Sequence, residues 1–309
     1  MTAEIKTATI RFPDSIQSGG LKEIHYPGGE LQTRVIDGHQ KYLEDAHEII
    51  IEARIQSSDE LISLLLLNDA ILGLNPQAAR KLYMPYLPYA RADRRFVPGD
   101  CNGLATFGAI LNTANFHEVR VLDAHNPSMA AEWINNLVNV VPAGLMREVA
   151  AHFRDHHAGS ERITILFPDE GAAKRYRFMK DTIGADVLYA TKKRNASTGQ
   201  FEGFEVPSKE ELGDRAILIM DDICDGGGTF LGIVGALDIA KVTKIPLGLY
   251  TTHGIYSKGT SIFSVVFNTM YSTDSVRVTN VWWNSWDSFA QLTSGTNLVQ
   301  RPVIHSSAV

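Results

Sequence analysis

The sequence predicts an α/β protein built on parallel sheets with helices on both faces. Three observations carry this. Apolar runs rich in β-branched residues alternate with longer segments of helical periodicity. An apolar run leads through a glycine cluster into a helix at residues 216–230, the pattern of a strand-to-helix ligand loop. With 309 residues, 44% hydrophobic and 21% charged, the chain has the length and composition of about two globular domains.

The elements read in chain order. Ile49-Ile50-Ile51, Val119-Arg120-Val121-Leu122, Ile163-Thr164-Ile165-Leu166, Ala216 to Met220 and Ile245 to Tyr250 are strand runs. Ser58 to Leu74 opens on Ser58-Asp59-Glu60, a helix start, and reaches Gly73 near its end. Gly103 to Ala114, Glu170 to Lys180 and Thr229 to Ala240 also read as helices. Pro142-Ala143-Gly144 follows a strand-like run and suggests domains of 1–145 and 146–309. The tail from Val281-Trp282-Trp283 is aromatic and then polar, with no functional reading.

Composition excludes several function classes. Lys and Arg total 29 against 35 Asp and Glu, a net charge of −6, so nothing global attracts nucleic acid and an anionic ligand needs a local site. The two cysteines, Cys101 and Cys224, are too few for a disulfide framework and fit a reducing, cytoplasmic compartment. Leu61 to Leu67 is too short to span a membrane, and the N-terminus lacks the apolar core of a signal peptide. A soluble protein with no membrane partner is expected.

Residues 216–230 (AILIMDDICDGGGTF) carry the strongest chemical signal. An apolar strand is expected to end in Asp221-Asp222, followed by Asp225-Gly226-Gly227-Gly228-Thr229 and a helix. Three glycines allow several backbone N–H groups to converge on one anion, at a helix start whose dipole favours negative charge. Thr229 adds a hydroxyl. The acid pair suits sugar hydroxyls or Mg²⁺. The Walker lysine is missing, and Leu231 spoils a G-x-G-x-x-G reading.

This stretch resembles the ribose-phosphate motif of the phosphoribosyltransferase-like fold, and nearly the whole chain resembles the phosphoribosyl pyrophosphate synthetase family. Pro88-Tyr89-Ala90-Arg91-Ala92-Asp93-Arg94 is similar to its ATP-contacting Y-A-R-Q-D-R segment, and Asp123-Ala124-His125 to its D-L-H motif. Phe167 to Arg175 (FPDEGAAKR) resembles S-P-D-x-G-G-x-x-R, Thr191-Lys192-Lys193-Arg194 the K-R-R of a mobile catalytic loop, and Thr252 to Ser257 the T-H-G-x-x-S turn.

The resemblance implies two phosphoribosyltransferase-like domains, the first on the ATP side and the second on the sugar-phosphate side. It implies transfer of the diphosphoryl group of ATP to the 1-hydroxyl of ribose 5-phosphate, with Mg²⁺ as cofactor, and a homo-oligomer, dimer-based and often a hexamer. Lys192, Arg194 and His125 take the catalytic roles, with either Lys192 or Lys193 open as the key lysine. Arg91, Asp93, Tyr26, Glu30 and His125 are implied at ATP, and His125 and Asp169 at the metal. Asp221, Asp222, Asp225, Gly226, Gly227, Gly228 and Thr229 are implied at the sugar phosphate. Residues 195–214 are polar and glycine-bearing, as a closing loop requires.

Departures from the pattern keep alternatives open. Tyr26-Pro27-Gly28-Gly29-Glu30 stands where F-S-D-G-E is usual, and Ala92 replaces a glutamine. Gly226 replaces the threonine of D-T-A-G-T, which removes a phosphate donor and opens space. A sugar with an esterified 5-phosphate, such as ADP-ribose, is therefore a second acceptor, which would place the enzyme in NAD reconstruction. A plain phosphoribosyltransferase leaves Arg91, His125 and Lys192 without roles. A non-catalytic regulatory homologue is expected to lose loop cations or metal residues, whereas Lys192, Arg194, His125 and Asp169 are all present. His152, His156 and His157 have zinc-like spacing but lack further ligands, and read as a solvated helix end. Cys224 reads as a small apolar filler.

Overall fold

Two parallel sheets organise the chain in a computed structural model that describes residues 6–12, 20–158, 161–194, 201–212, 215–237 and 245–276, with a two-residue strand at 305–306. The chain packs as two units, Met1–Val141 and Pro142–Val309.

In the first unit, β1 (Thr7–Phe12) alternates exposed and buried residues, as a strand with one covered face must. A hairpin follows, β2 (Leu21–His25) with β3 (Leu31–Val35), then α1 (Asp37–Glu44) and β4 (Glu48–Ala53). Next come α2 (Ser58–Leu74), β5 (Ala79–Met84), α3 (Gly103–Asn112), β6 (Glu118–Leu122), α4 (Pro127–Trp133) and β7 (Leu137–Val140). The sheet runs β1-β4-β5-β6-β7, all parallel, in strict chain order. Its core includes Ile49, Ile51, Leu64, Leu67, Leu82, Phe107 and Val121. The N-cap of α2 is Ser57, one residue before the expected start; its hydroxyl accepts from the Glu60 N–H.

The second unit begins with α5 (Ala143–His157), so the expected boundary at 145/146 falls inside this helix's first turn. Then come β8 (Ile163–Phe167), α6 (Glu170–Arg175), a 3₁₀ turn (Arg177–Asp181), β9 (Ala185–Tyr189) and the antiparallel pair β10 (Thr191–Arg194) with β11 (Phe201–Glu205). The chain continues through α7 (Lys209–Leu212), β12 (Ile217–Cys224), α8 (Gly228–Ala236), β13 (Leu247–Gly254), α9 (Ser261–Ser264), β14 (Thr269–Thr273) and β15 (His305–Ser306). Five parallel strands lie in the order β14-β13-β12-β8-β9, with β15 antiparallel at the edge. Chain order reverses between β8 and β12, so connections leave these neighbours toward opposite sides. A crevice outside the carboxyl ends of two such strands is where open α/β sheets bind ligands.

Several sequence expectations are corrected. The helix expected over 170–180 breaks at Tyr176, which is fully buried and stacks on Phe167 at 5.6 Å; the chain resumes as the 3₁₀ turn. β12 does not stop at Asp221-Asp222 but pairs with β13 as far as Cys224↔Gly254. Thr252-His253-Gly254 accordingly lies in a strand rather than a turn. The stretch read as a closing loop includes β11 and α7; its residues 195–200 and 213–214 lie outside the described residues, as do 238–240 of the expected last helix and the tail 277–304. The histidine end of α5 is not simply solvated: His152 Nδ1 meets the Tyr271 hydroxyl at 2.9 Å and His157 Nε2 the Thr269 hydroxyl at 2.6 Å. Cys224 is fully buried in the core.

Candidate active site

In the first unit, the ATP-like segments follow the carboxyl ends of neighbouring strands, Arg91 and Asp93 after β5 and His125 after β6. The chain leaves β5 through Tyr89, whose φ is +61°, and Arg91 is exposed. Asp93 is only 5% exposed. Its carboxylate accepts from the Asn126 amide at 3.0 Å and lies 3.4 Å from Arg94 Nε, while the Asn102 amide donates to its carbonyl at 3.2 Å. Asp93 therefore ties the two segments together. Asn126, which the sequence reading passed over, performs that tie while also capping α4 through Met129 N–H. His125 is half-buried beside it. Tyr26 and Glu30 sit in the β2–β3 turn, Tyr26 exposed with its hydroxyl donating to Gln32 at 2.7 Å, and the turn closed by the Tyr26 N–H to Glu30 carbonyl bond.

In the second unit, the acceptor-like residues gather at the β8/β12 reversal. Asp169 follows β8 and caps α6, its Oδ1 accepting from Ala172 N–H at 2.9 Å. Its Oδ2 accepts from Lys192 Nζ at 3.1 Å. Partial burial works to raise the Asp169 carboxyl, but the Ala172 N–H and the Lys192 ammonium outweigh it and hold the group below the usual carboxylate range. Lys192 thus reaches the metal-type aspartate. Arg194 lies in β10, and its side chain falls outside the described residues.

Asp222 is almost fully buried and forms a 3.0 Å ion pair with Arg175, the last residue of α6. Burial, and then the neighbouring Asp222 charge, push Asp221 well above the ordinary carboxylate range, so it can present a protonated oxygen as well as an acceptor. The loop Asp225-Gly226-Gly227-Gly228-Thr229 then enters α8. Gly227 sits at φ +77°, and a β-carbon there would stand 2.3 Å from Phe263 Cζ. Only glycine satisfies both conditions. The three atoms nearest a β-carbon at Gly226 would all belong to Lys258, with Cε closest at 3.4 Å, and one at Gly228 would meet nothing within 4 Å. Behind α8, Gly232 leaves room for Phe204 of β11, whose ring would lie 2.8 Å from a β-carbon at that position. Arg175 and Lys258 were not singled out from sequence; their partners come from distant segments.

No three His, Cys, Asp or Glu side chains cluster as a metal cage among the described residues. Asp169 offers a carboxylate oxygen, the donor type that Mg²⁺ takes. No helix among the described residues is long and apolar enough to cross a membrane.

No protein-family profile matches the chain. Individual relatives do. A ribose-phosphate pyrophosphokinase of Pyrococcus furiosus is 28% identical over 235 residues, 76% of this chain and 77% of that one. One from Thermococcus kodakarensis is 26% identical over 274 residues, 87% and 90%. The crystal structure of phosphoribosylpyrophosphate synthetase from Mycobacterium smegmatis superposes with a TM-score of 0.69 at 16% identity, covering 89% of this chain and 91% of that chain. These likenesses support assignment of the chain to the phosphoribosyl pyrophosphate synthetase family. It is accordingly an enzyme of the diphosphotransferase type. Against the family pattern, the synthetase-like loop keeps its acid pair and its threonine but has lost the side chain at Gly226.

Proposed function

We propose that this chain catalyses Mg²⁺-dependent transfer of the β,γ-diphosphoryl group of ATP to the 1-hydroxyl of ribose 5-phosphate, giving phosphoribosyl pyrophosphate and AMP. The observation that carries the reading is the β8/β12 reversal, where Asp169, after β8, is paired with Lys192 of β10, and β12 carries the acid pair and leads into the glycine loop.

The residues divide the work as follows. The N–H groups of the 225–229 loop, the Thr229 hydroxyl and the start of α8 seat the 5-phosphate. Asp221 and Asp222 hold the sugar hydroxyls and so fix the ring, with Arg175 orienting Asp222. The 1-hydroxyl oxygen bonds to the β-phosphorus in line, the bond from that phosphorus to the bridging α-oxygen breaks, AMP leaves, and the hydroxyl proton is lost to water. Positioning and charge neutralisation supply most of the rate. Lys192, and with it Arg194, neutralises charge developing on the transferred group. Mg²⁺ bound to the triphosphate would rest on Asp169 and screen its charge. Arg91, His125, Tyr26 and Glu30 belong to ATP. The assembly is proposed as a dimer-based homo-oligomer in the cytoplasm.

The missing side chain at Gly226, with open space at Gly228, favours a second acceptor, ADP-ribose, whose 5-phosphate carries a further ester. AMP release from ATP and Mg²⁺, run in parallel with ribose 5-phosphate and with ADP-ribose, separates the two. The Lys192→Ala variant should be silent with either, and Lys193→Ala should retain turnover. AMP with ADP-ribose alone replaces ribose 5-phosphate as the substrate. No AMP with either acceptor refutes the catalytic reading and leaves a regulatory homologue.

A further inference from the structure

The segment after β13 leans on the glycine loop at three points. The Cys224 carbonyl, one residue before the loop, accepts both the Ile255 N–H at 2.8 Å and the Tyr256 N–H at 3.1 Å. Phe263 fills the space under Gly227. Lys258 lies over Gly226, with its Cε 3.4, Cδ 3.7 and Nζ 3.9 Å from where a β-carbon would stand.

The backbone that carries Lys258 is fixed. Tyr256 is held at φ +47°, buried, with its ring edge-on to Phe263 at 5.6 Å and its hydroxyl 3.2 Å from that of Thr251. Gly259 at φ +77° closes the turn through its N–H to the Tyr256 carbonyl at 2.8 Å. A residue kept at positive φ without being glycine is over-determined by its surroundings. The lysine head, in contrast, is exposed.

Charge around the loop calls for a cation there. Asp222 and Asp225 adjoin it as carboxylates, whereas Arg175 is engaged by Asp222 and Lys192 by Asp169. Lys258 has no carboxylate partner among the described residues. A phosphate seated among those carboxylates by neutral N–H donors alone would meet net repulsion.

We propose that Lys258 is an acceptor-specificity residue. Its ammonium binds the phosphate on the sugar's 5-oxygen and takes the place of the hydroxyl donor that a threonine at 226 would supply. The proposal rests on the reading that the 225–229 loop seats this phosphate. A point charge on a four-carbon stem follows the phosphate whether it is a monoester or half of a diphosphate bridge. A threonine hydroxyl at a fixed place cannot.

The test is calorimetric binding of ribose 5-phosphate, ADP-ribose and unphosphorylated ribose to the full chain without ATP, alongside steady-state KM values. Lys258→Ala should weaken the bound phosphorylated acceptor roughly tenfold, the low end for a charge-assisted bond at an exposed site. Its KM for that acceptor should rise with it, and its KM for ATP should move by less than about twofold. Lys258→Arg should recover most of the loss, and Gly226→Thr in the Lys258→Ala background part of it. Whichever phosphorylated sugar shows the effect is the source of the phosphate. Acceptor binding that Lys258→Ala leaves within about twofold of wild type overturns the lysine's role alone. Wild-type protein that binds neither phosphorylated sugar overturns both this proposal and the reading it rests on.

Discussion

Replacing Arg175 by Met should destabilise the second unit by about 3 kcal/mol, through the charge it leaves behind rather than the contact it removes. Arg175 Nη1 stands 3.0 Å from Asp222 Oδ2, with the two side chains 18% and 2% exposed. Breaking one partner of a buried pair costs about 3–5 kcal/mol. The partial exposure of Arg175 places this case at the lower end, because water already screens part of the attraction. The orphaned Asp222 carboxylate would also face Asp221, which already resists ionisation because of burial and its neighbour. The variant can escape the cost only by taking up a proton, so the loss should shrink as pH falls.

Because two units can melt separately, a local readout is the right assay. Amide exchange across β12 should quicken by roughly 100-fold for a loss of about 3 kcal/mol. Adding Asp222→Asn should return most of it, since the charge that made the loss is gone. A single-variant effect below about 1 kcal/mol, or a double variant whose losses simply add, refutes the reasoning.

Two further predictions concern the same loop. Gly227→Ala forces a β-carbon into Phe263 at a left-handed backbone position, and should lower stability by about 2–4 kcal/mol in thermal unfolding; an unchanged midpoint would contradict the +77° geometry. Asp221 has a raised folded-state pKa, so its contribution to stability is present at low pH and lost as pH rises through that value. Asp221→Asn should therefore gain more in melting temperature at about pH 8 than at about pH 5, and a gain that shrinks with rising pH would rule this out.

The strands with continuous β-branched runs, β4, β6, β8, β12 and β13, were legible because a buried parallel strand has little choice of composition. β5 was not. It carries Arg80 and Lys81 in mid-sheet, and a polar pair reads as surface. Arg80 is nonetheless buried, its Nη1 donating to Asn68 at 2.7 Å and to the Ala114 carbonyl at 3.3 Å, while Lys81 lies against Glu48. Those partners are remote in sequence, and no local pattern announces them. The same holds at the site. The glycine loop and acid pair are contiguous and were read directly. The partners that set their charge state, Arg175 and Lys258, arrive from other elements, as Asn126 arrives at Asp93. The end of β12 was misplaced for a related reason. Acidic residues usually stop a strand, but here the ladder to β13 carries the backbone two residues past them.

The fit of Phe204 against Gly232 joins the strand pair that bears Lys192 to the helix that opens at the phosphate loop. It is a size relation, large on one side and absent on the other, and it leaves a mark that inheritance can carry. Chains that lose the aromatic ring at 204 are released to acquire a side chain at 232, and chains that keep it are not. Paired change at these two positions is therefore a genealogical signature of the hairpin's seat, readable in related sequences without a structure of any of them.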